Sequence, residues 1–294
     1  MANLAFIGLG NMGGGMAANL AKAGHDVRAF DLSADALDRA KIAGCLPVDS
    51  AAAACDGAEA VVTMLPAGRH VEGVYTEQIF GAVPRTAILM DCSTIDVAIA
   101  RRVTDAAAAK GLTMVDAPVS GGIGAANAGT LTFMVGGSAA AFERAEPFLS
   151  DMGKAVIHAG VGGSGQAAKI CNNMLLGASM VATCEALVLA EKLGLEPQKF
   201  YDIASVSSGS CWSLNTYAPL PGVGPQTPAD NDYQGGFAAA LMLKDLRLAM
   251  EAAGSVDADT QMGKRATELY EAFVAADAGG HDFSAIIRTL GARG

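Results

Sequence analysis

Leu4-Ala5-Phe6-Ile7-Gly8-Leu9-Gly10-Asn11-Met12-Gly13 decides how the chain begins. The four apolar residues read as a buried strand, Gly8, Gly10 and Gly13 form a G-x-G-x-x-G, and a helical pattern runs over Met12–Lys22. In that strand–turn–helix setting the glycines let backbone amides approach an anion, and the positive end of the helix stabilises its charge. An ordinary glycine-rich turn has the same local pattern, so a second signal is needed. Asp31 supplies it, 18 residues after Gly13 and at the end of a second apolar strand, Val27–Phe30. A carboxylate there accepts hydrogen bonds from an adenosine ribose. Gly8, Leu9, Gly10, Asn11, Met12, Gly13 and Asp31 therefore read as a dinucleotide site. The same carboxylate repels a 2′-phosphate, and Leu32 and Ser33 follow it rather than an arginine, so NAD is expected over NADP. Arg28 and Arg39 are the nearest cations that could reach a 2′-phosphate.

Outward from this stretch, apolar runs at Ala60–Met64, Ala87–Met90, Thr113–Val115, Leu131–Val135 and Ala155–His158 alternate with helical patterns at Ala34–Ala43, Ile95–Lys110 and Ala139–Leu149. That β-α rhythm predicts a parallel, doubly wound, Rossmann-type α/β sheet. Beyond the glycines at 160–165 the strand signal stops, and one helical pattern runs from about Gln166 to Leu193, closed by Gly194 and Pro197. The expected division is a nucleotide-binding domain over 1–163 and an all-α domain over 164–294, joined by the long helix, with the substrate at their junction. Helical patterns at Phe237–Ala253, Thr260–Ala276 and Phe283–Leu290 belong to the second part, and Pro219–Gly236 reads as a long loop.

Composition narrows the function classes. With 20 Lys+Arg against 30 Asp+Glu the formal charge is −10, the wrong sign for a nucleic-acid partner. Anionic ligands must then be held by local amides and a few placed cations. The six cysteines show no C-x-x-C pair or histidine cluster, so neither a metal site nor a disulfide framework is expected. No basic leader precedes the first strand, and Ser179, Thr183 and Glu185 interrupt the apolar run at 174–190. A cytoplasmic chain without a membrane span is the expectation.

The order and approximate spacing of Gly8–Gly13, Met64-Leu65-Pro66, Asp91-Cys92-Ser93-Thr94, Asp116-Ala117-Pro118-Val119-Ser120-Gly121-Gly122, Gly163-Ser164-Gly165 and Lys169–Asn173 resemble the 3-hydroxyisobutyrate dehydrogenase family of β-hydroxyacid dehydrogenases. The segments Ser207–Trp212 and Tyr233–Phe237, with Lys244-Asp245, resemble the 3-hydroxyisobutyrate branch. The resemblance implies NAD-dependent oxidation of 3-hydroxyisobutyrate to methylmalonate semialdehyde, a step of valine breakdown, in a homodimer or homotetramer. It places Leu65, Pro66 and Thr94 at the nicotinamide end of the cofactor and Lys244 beside it. Pro66 could equally end a strand, Thr94 could cap the following helix, and Lys244 could be a surface charge beside Asp245. Two departures stand out: His70 where the family usually has asparagine, and Gly15 where proline is common.

Ser120-Gly121-Gly122 follows a strand and can form a turn whose amides, with the Ser120 hydroxyl, converge on an anion; the resemblance makes this the substrate-carboxylate cradle. Lys169 and Asn173 lie one helical turn apart. A helical lysine is ordinarily solvated, but Ala167, Ala168, Ile170 and Cys171 surround this one with small and apolar residues, and the family places its catalytic lysine here. Oxidising a hydroxyl requires a group to take its proton, and a lysine serves only if its pKa falls well below about 10.4. The positive charge of oxidised nicotinamide is expected to assist. Asn173 resembles the asparagine that orients substrate and lysine, and Trp212 either walls the substrate or anchors the helical core. A tartronate or succinic semialdehyde reductase would share the cradle and lysine, while a noncatalytic dinucleotide-binding module would keep only the fold.

Overall fold

The computed structural model describes residues 1–291, and nine strands alternate with helices as far as Gly160. The strands are β1 (Asn3–Ile7), β2 (Asp26–Phe30), β3 (Leu46–Pro47), β4 (Ala60–Thr63), β5 (Ile88–Asp91), β6 (Thr113–Asp116), β7 (Val119–Ser120), β8 (Leu131–Gly136) and β9 (Gly153–Gly160). Between them lie α1 (Gly13–Lys22), α2 (Ala34–Ile42), α3 (Ala51–Cys55), α4 (Gly68–Val74), α5 (Val97–Ala109), α6 (Gly122–Ala128) and α7 (Ala139–Ser150). Strand order is β3-β2-β1-β4-β5-β6-β8-β7, with β9 on β8. Pairing is parallel from β3 through β6, the core of the doubly wound arrangement.

Alternate residues of each central strand face opposite layers. Leu4, Phe6, Val62, Met90 and Val115 pack into one cluster under α1 and α7, while Ala5, Ile7, Val61, Leu89 and Met114 pack into another under α3 and α5. Burial of each large aliphatic side chain contributes about 1.5–3 kcal/mol, and burial on both faces explains why these strands are apolar runs rather than alternations.

The sheet is mixed rather than wholly parallel as the sequence rhythm implied, because β8 runs antiparallel to β6 and β7. The residues between β7 and β8 make only the short α6 and a left-handed Gly129, too little chain for a parallel crossover. Thr94 is not the cap of α5. Asp96 takes that role, its Oδ1 accepting the amides of Ala98 and Ile99 at 2.8 and 3.0 Å. At Gly15, α6 crosses so closely that a Cβ would stand 2.4 Å from Asn127 Oδ1.

The chain divides into two compact units between Lys169 and Ile170, later than the 163/164 expected from sequence. The break falls within the long helix α8 (Ser164–Lys192), whose first turns thus belong with the sheet. By length and hydropathy α8 could cross a membrane, and half of its most apolar window is buried within the protein. The second unit adds α9 (Pro197–Ala204), α10 (Trp212–Asn215), α11 (Ala239–Ser255), α12 (Gln261–Phe273) and a 3-10 helix over Phe283–Leu290. Their core gathers Met180, Leu187, Met242, Leu246, Tyr270 and Phe283. The segment Pro219–Gly236 is a packed loop: Thr227 and Asp230 form a capping box, and the buried Tyr233 hydroxyl donates to the Pro219 carbonyl at 2.8 Å.

Candidate active site

The glycine loop leaves β1 at Gly8, whose φ of +95° only glycine adopts readily, and a Cβ there would stand 2.3 Å from the Met64 carbonyl oxygen. Gly13 packs the start of α1 onto the loop, since its Cβ would meet the Gly8 carbonyl oxygen at 1.9 Å. Gly10 is different: a Cβ there would point into open space, and the residue is exposed. Gly8 and Gly13 are thus required by the fold, whereas Gly10 opens the surface above the helix N-terminus. Met12, the N-cap, gives the first-turn amides of α1 no side-chain acceptor. That combination fits a pyrophosphate. Asp31 follows β2; its Oδ2 accepts the Leu9 amide at 2.6 Å and its Oδ1 the Ser33 amide at 2.8 Å, so the carboxylate expected at the ribose is held against the loop.

Beside this loop, the ends of β4 and β5 are tied together through buried polar groups. Asp91 Oδ1 accepts from Thr63 Oγ1 at 2.7 Å, Ser93 Oγ at 2.6 Å and the Ser93 amide at 3.2 Å. Ser93 Oγ in turn accepts the Leu65 amide at 2.8 Å. Leu65–Pro66 and Ser93–Thr94, the two segments expected at the nicotinamide, therefore share one scaffold. Burial pushes the Asp91 carboxyl up to about 6, against the lowering effect of the Ser93 and Thr63 hydrogen bonds.

Ser120 ends β7 opposite Thr132, and the chain turns at Gly121 (φ +137°) and Gly122 (φ +71°). A Cβ on Gly121 would press within 2.6 Å of the Ala125 Cβ, while one on Gly122 would meet nothing within 4 Å, so the turn is tight, with Gly121 exposed and Ser120 and Gly122 half-buried.

The lysine-bearing helix is anchored by Asp116, at the end of β6. Its Oδ1 accepts the Gly163 amide at 2.7 Å and its Oδ2 the Gln166 amide at 2.8 Å, which satisfies amides at the start of α8 from outside the helix. Burial raises the Asp116 carboxyl despite these bonds. Gln166 is fully buried; its Nε2 donates to the Ser93 carbonyl at 2.7 Å and its Oε1 accepts the Ile95 amide at 3.1 Å. Lys169 lies one turn further along and is 7% exposed, which excludes the ordinary solvated role. Gln166 was not singled out by sequence; its only trace there is a polar residue in a small, apolar first turn.

In the second unit Asn173 is buried, and its Nδ2 donates to Asp245 Oδ2 at 2.5 Å. Asn172 Nδ2 donates to Asn173 Oδ1 at 2.9 Å. Asp245, on α11, was expected only as a neighbour of Lys244, yet it sets which end of the Asn173 amide faces which way. Lys244 Nζ stands 3.5 Å from Asp245 Oδ1, a charge contact without hydrogen-bond geometry. Trp212 is half exposed and stacks on Tyr217 with ring centroids 4.9 Å apart, and the Tyr217 hydroxyl donates to buried Asp282 at 2.9 Å. Ser213 meets Ser179 at 3.0 Å, so Trp212 begins a short helix docked on α8. Among the described residues no cluster of three or more His, Cys, Asp or Glu is arranged to hold a metal ion. His70 lies on α4 with a buried Nδ1 that has no hydrogen-bond partner.

Residues 3–176 match the family model described as the NAD binding domain of 6-phosphogluconate dehydrogenase, and residues 163–290 the one described as NAD-binding of NADP-dependent 3-hydroxyisobutyrate dehydrogenase. The chain is 53% identical over 290 residues to 3-hydroxyisobutyrate dehydrogenase of Pseudomonas aeruginosa, covering 97% of each. It is 46% identical over 288 residues to the NAD-dependent L-serine dehydrogenase of the same organism, again covering 97% of each. The solved structure of Mycobacterium tuberculosis 3-hydroxyisobutyrate dehydrogenase with L-serine superposes with a TM-score of 0.95 at 46% identity, covering 99% of this chain and 100% of that one. These likenesses, with the glycine loop and Asp31, define an NAD-dependent hydroxyacid dehydrogenase. Within that class the chain belongs to the 3-hydroxyisobutyrate dehydrogenase family.

Proposed function

We propose that the substrate is 3-hydroxyisobutyrate, oxidised to methylmalonate semialdehyde in valine breakdown, with Lys169 as general acid and base. The observation that carries the mechanism is the burial of Lys169 on a turn hydrogen-bonded, through Gln166, to the segment that bears Thr94. Bound NAD+ supplies the acceptor for the hydride that leaves C3 with its electron pair. Lys169, as the neutral amine, takes the hydroxyl proton while the carbon–oxygen double bond forms, and its ammonium returns that proton in the reverse direction. Ser120 and the amides of Gly121 and Gly122 bind the carboxylate, which fixes the distance from carboxylate to reacting carbon and so selects 3-hydroxy acids. Asn173, one turn beyond Lys169, orients the hydroxyl. By the family resemblance Trp212 contacts the substrate, and Leu65, Pro66, Thr94 and Lys244 contact the cofactor. The working form is a cytoplasmic homodimer or homotetramer.

A second reading, L-serine oxidation, is favoured by the serine dehydrogenase relative and by the solved relative with L-serine. L-Serine has the same 3-hydroxy carboxylate skeleton, with an amino group in place of the methyl. The deciding experiment is NADH formation by purified protein with 3-hydroxyisobutyrate, L-serine, D-glycerate and 4-hydroxybutyrate, each with NAD+ and with NADP+. The highest kcat/KM for 3-hydroxyisobutyrate with NAD+ supports the proposal. A higher value for L-serine moves the substrate assignment while leaving the acid–base chemistry intact, and no turnover of any acid overturns both.

A further inference from the structure

We infer that Gln166 is a positioning residue for the reaction, holding the Lys169 turn and the nicotinamide-side segments in one register. The inference rests on the reading of Lys169 as the acid–base group. The Gln166 side chain straddles Thr94, donating to the carbonyl of the residue before it and accepting the amide of the residue after it. It thereby pairs with the Ser93–Ile95 backbone as a neighbouring strand would. Ser93 passes the link on, since its Oγ accepts the Leu65 amide while its carbonyl accepts Gln166. The Gln166 main-chain amide is itself held by Asp116 Oδ2. The approach is close because glycines allow it: a Cβ on Gly165 would stand 2.2 Å from the Met134 carbonyl oxygen, and one on Gly136 would stand 2.3 Å from Asp116 Oδ1.

Every group in this chain of bonds is fully or nearly fully buried apart from Thr94 and Leu65, the residues expected to face the cofactor. Lys169 follows Gln166 by three positions, so both project from neighbouring points on one side of α8. A shift of the Ser93–Ile95 segment against α8 would therefore change the distance between proton acceptor and hydride acceptor without removing either. Hydride and proton transfer are sensitive to such displacements, whereas cofactor affinity is dominated by the glycine loop and Asp31.

The test is Gln166→Met, which keeps the length and removes both side-chain hydrogen bonds, assayed with 3-hydroxyisobutyrate and with L-serine. The expected result is a fall in kcat of roughly 10- to 100-fold. NADH affinity by fluorescence titration should change by no more than about twofold, and deuterium at the carbon that gives up hydride should slow turnover more than in the parent enzyme. A kcat close to the parent value would overturn the inference, as would a loss matched by an equal loss of NADH affinity or an unchanged isotope effect. Should the methionine variant fail to fold, Gln166→Asn, one methylene shorter, is read by the same criteria. Lys169→Ala is run alongside. If that variant keeps its turnover the acid–base assignment itself fails, whereas its loss together with normal turnover by the Gln166 variant rejects only the role of Gln166.

Discussion

Asp31 Oδ2 accepts the Leu9 amide at 2.6 Å, so the carboxylate proposed to read the ribose also fixes the glycine loop proposed to meet the pyrophosphate. Replacing Asp31 with alanine removes a charge-assisted hydrogen bond and the repulsion of a 2′-phosphate together. The expected loss in kcat/KM with NAD+ is roughly 10- to 100-fold, with a smaller loss for NADP+. The ratio of NADP+ to NAD+ efficiencies should lie below one in the parent and rise in the variant. A ratio unmoved by the substitution would separate Asp31 from cofactor choice.

Gly165 admits no side chain, because the nearest neighbour of an added Cβ is the Met134 carbonyl oxygen of β8 rather than a flexible side chain. Gly165→Ala must push α8 away from the sheet, at a cost of about 1–3 kcal/mol. Urea unfolding should show a lower midpoint with the same slope. A midpoint equal to the parent's would mean that the start of α8 is not clamped as described.

Asp91 gives a pH signature whose sign follows from burial. Its folded-state value of about 6 lies above the ordinary 3.8, so only well below that ordinary value is the carboxyl largely neutral in both states. As pH rises from about 4 to about 6 the unfolded chain ionises first, and stability falls; above that window the penalty is constant at about 3 kcal/mol. Asp91→Asn keeps the oxygen that accepts all three hydrogen bonds and removes the titration. Relative to the parent, the variant should gain stability progressively across that window and hold the gain at neutral pH. A difference that stays flat between pH 4 and 7 would rule out this account of the Asp91 site.

Asn173 and Asp245 are separated by 72 positions and joined by a buried hydrogen bond of 2.5 Å. Removing either partner leaves a buried polar group unsatisfied, at about 1–3 kcal/mol, and removing both should cost less than the sum. A double-mutant cycle on Asn173→Ala and Asp245→Ala measures this coupling. Strict additivity would show that the pair makes no joint contribution.

The parts of the molecule that were legible in the sequence are those in which partners lie close along the chain. The glycine loop, its strand and its helix form within a span of twenty residues, and the central strands announce themselves because burial on both faces demands continuous apolar runs. The seclusion of Lys169 was readable from its small and apolar neighbours. The two-residue strands β3 and β7 and the short α6 fall below the length at which periodicity is measurable. At the start of α5 two residues could serve as cap, and Asp96, two residues after Thr94, takes that place by accepting the Ala98 and Ile99 amides, so the helix begins later than a cap at Thr94 would start it. Gln166 and Asp245 were missed for a different reason. Each acts on a partner about 70 residues away, and no local pattern records which buried backbone group a side chain will satisfy.

The most direct test of the account is turnover of 3-hydroxyisobutyrate with NAD+ by Lys169→Ala, compared with the parent across pH. The variant should bind NADH normally, keep its unfolding midpoint and lose kcat by roughly 100- to 10,000-fold. A variant that folds, binds NADH and oxidises the acid at near the parent rate with the same pH profile would contradict the assignment of Lys169 as the group that moves the proton.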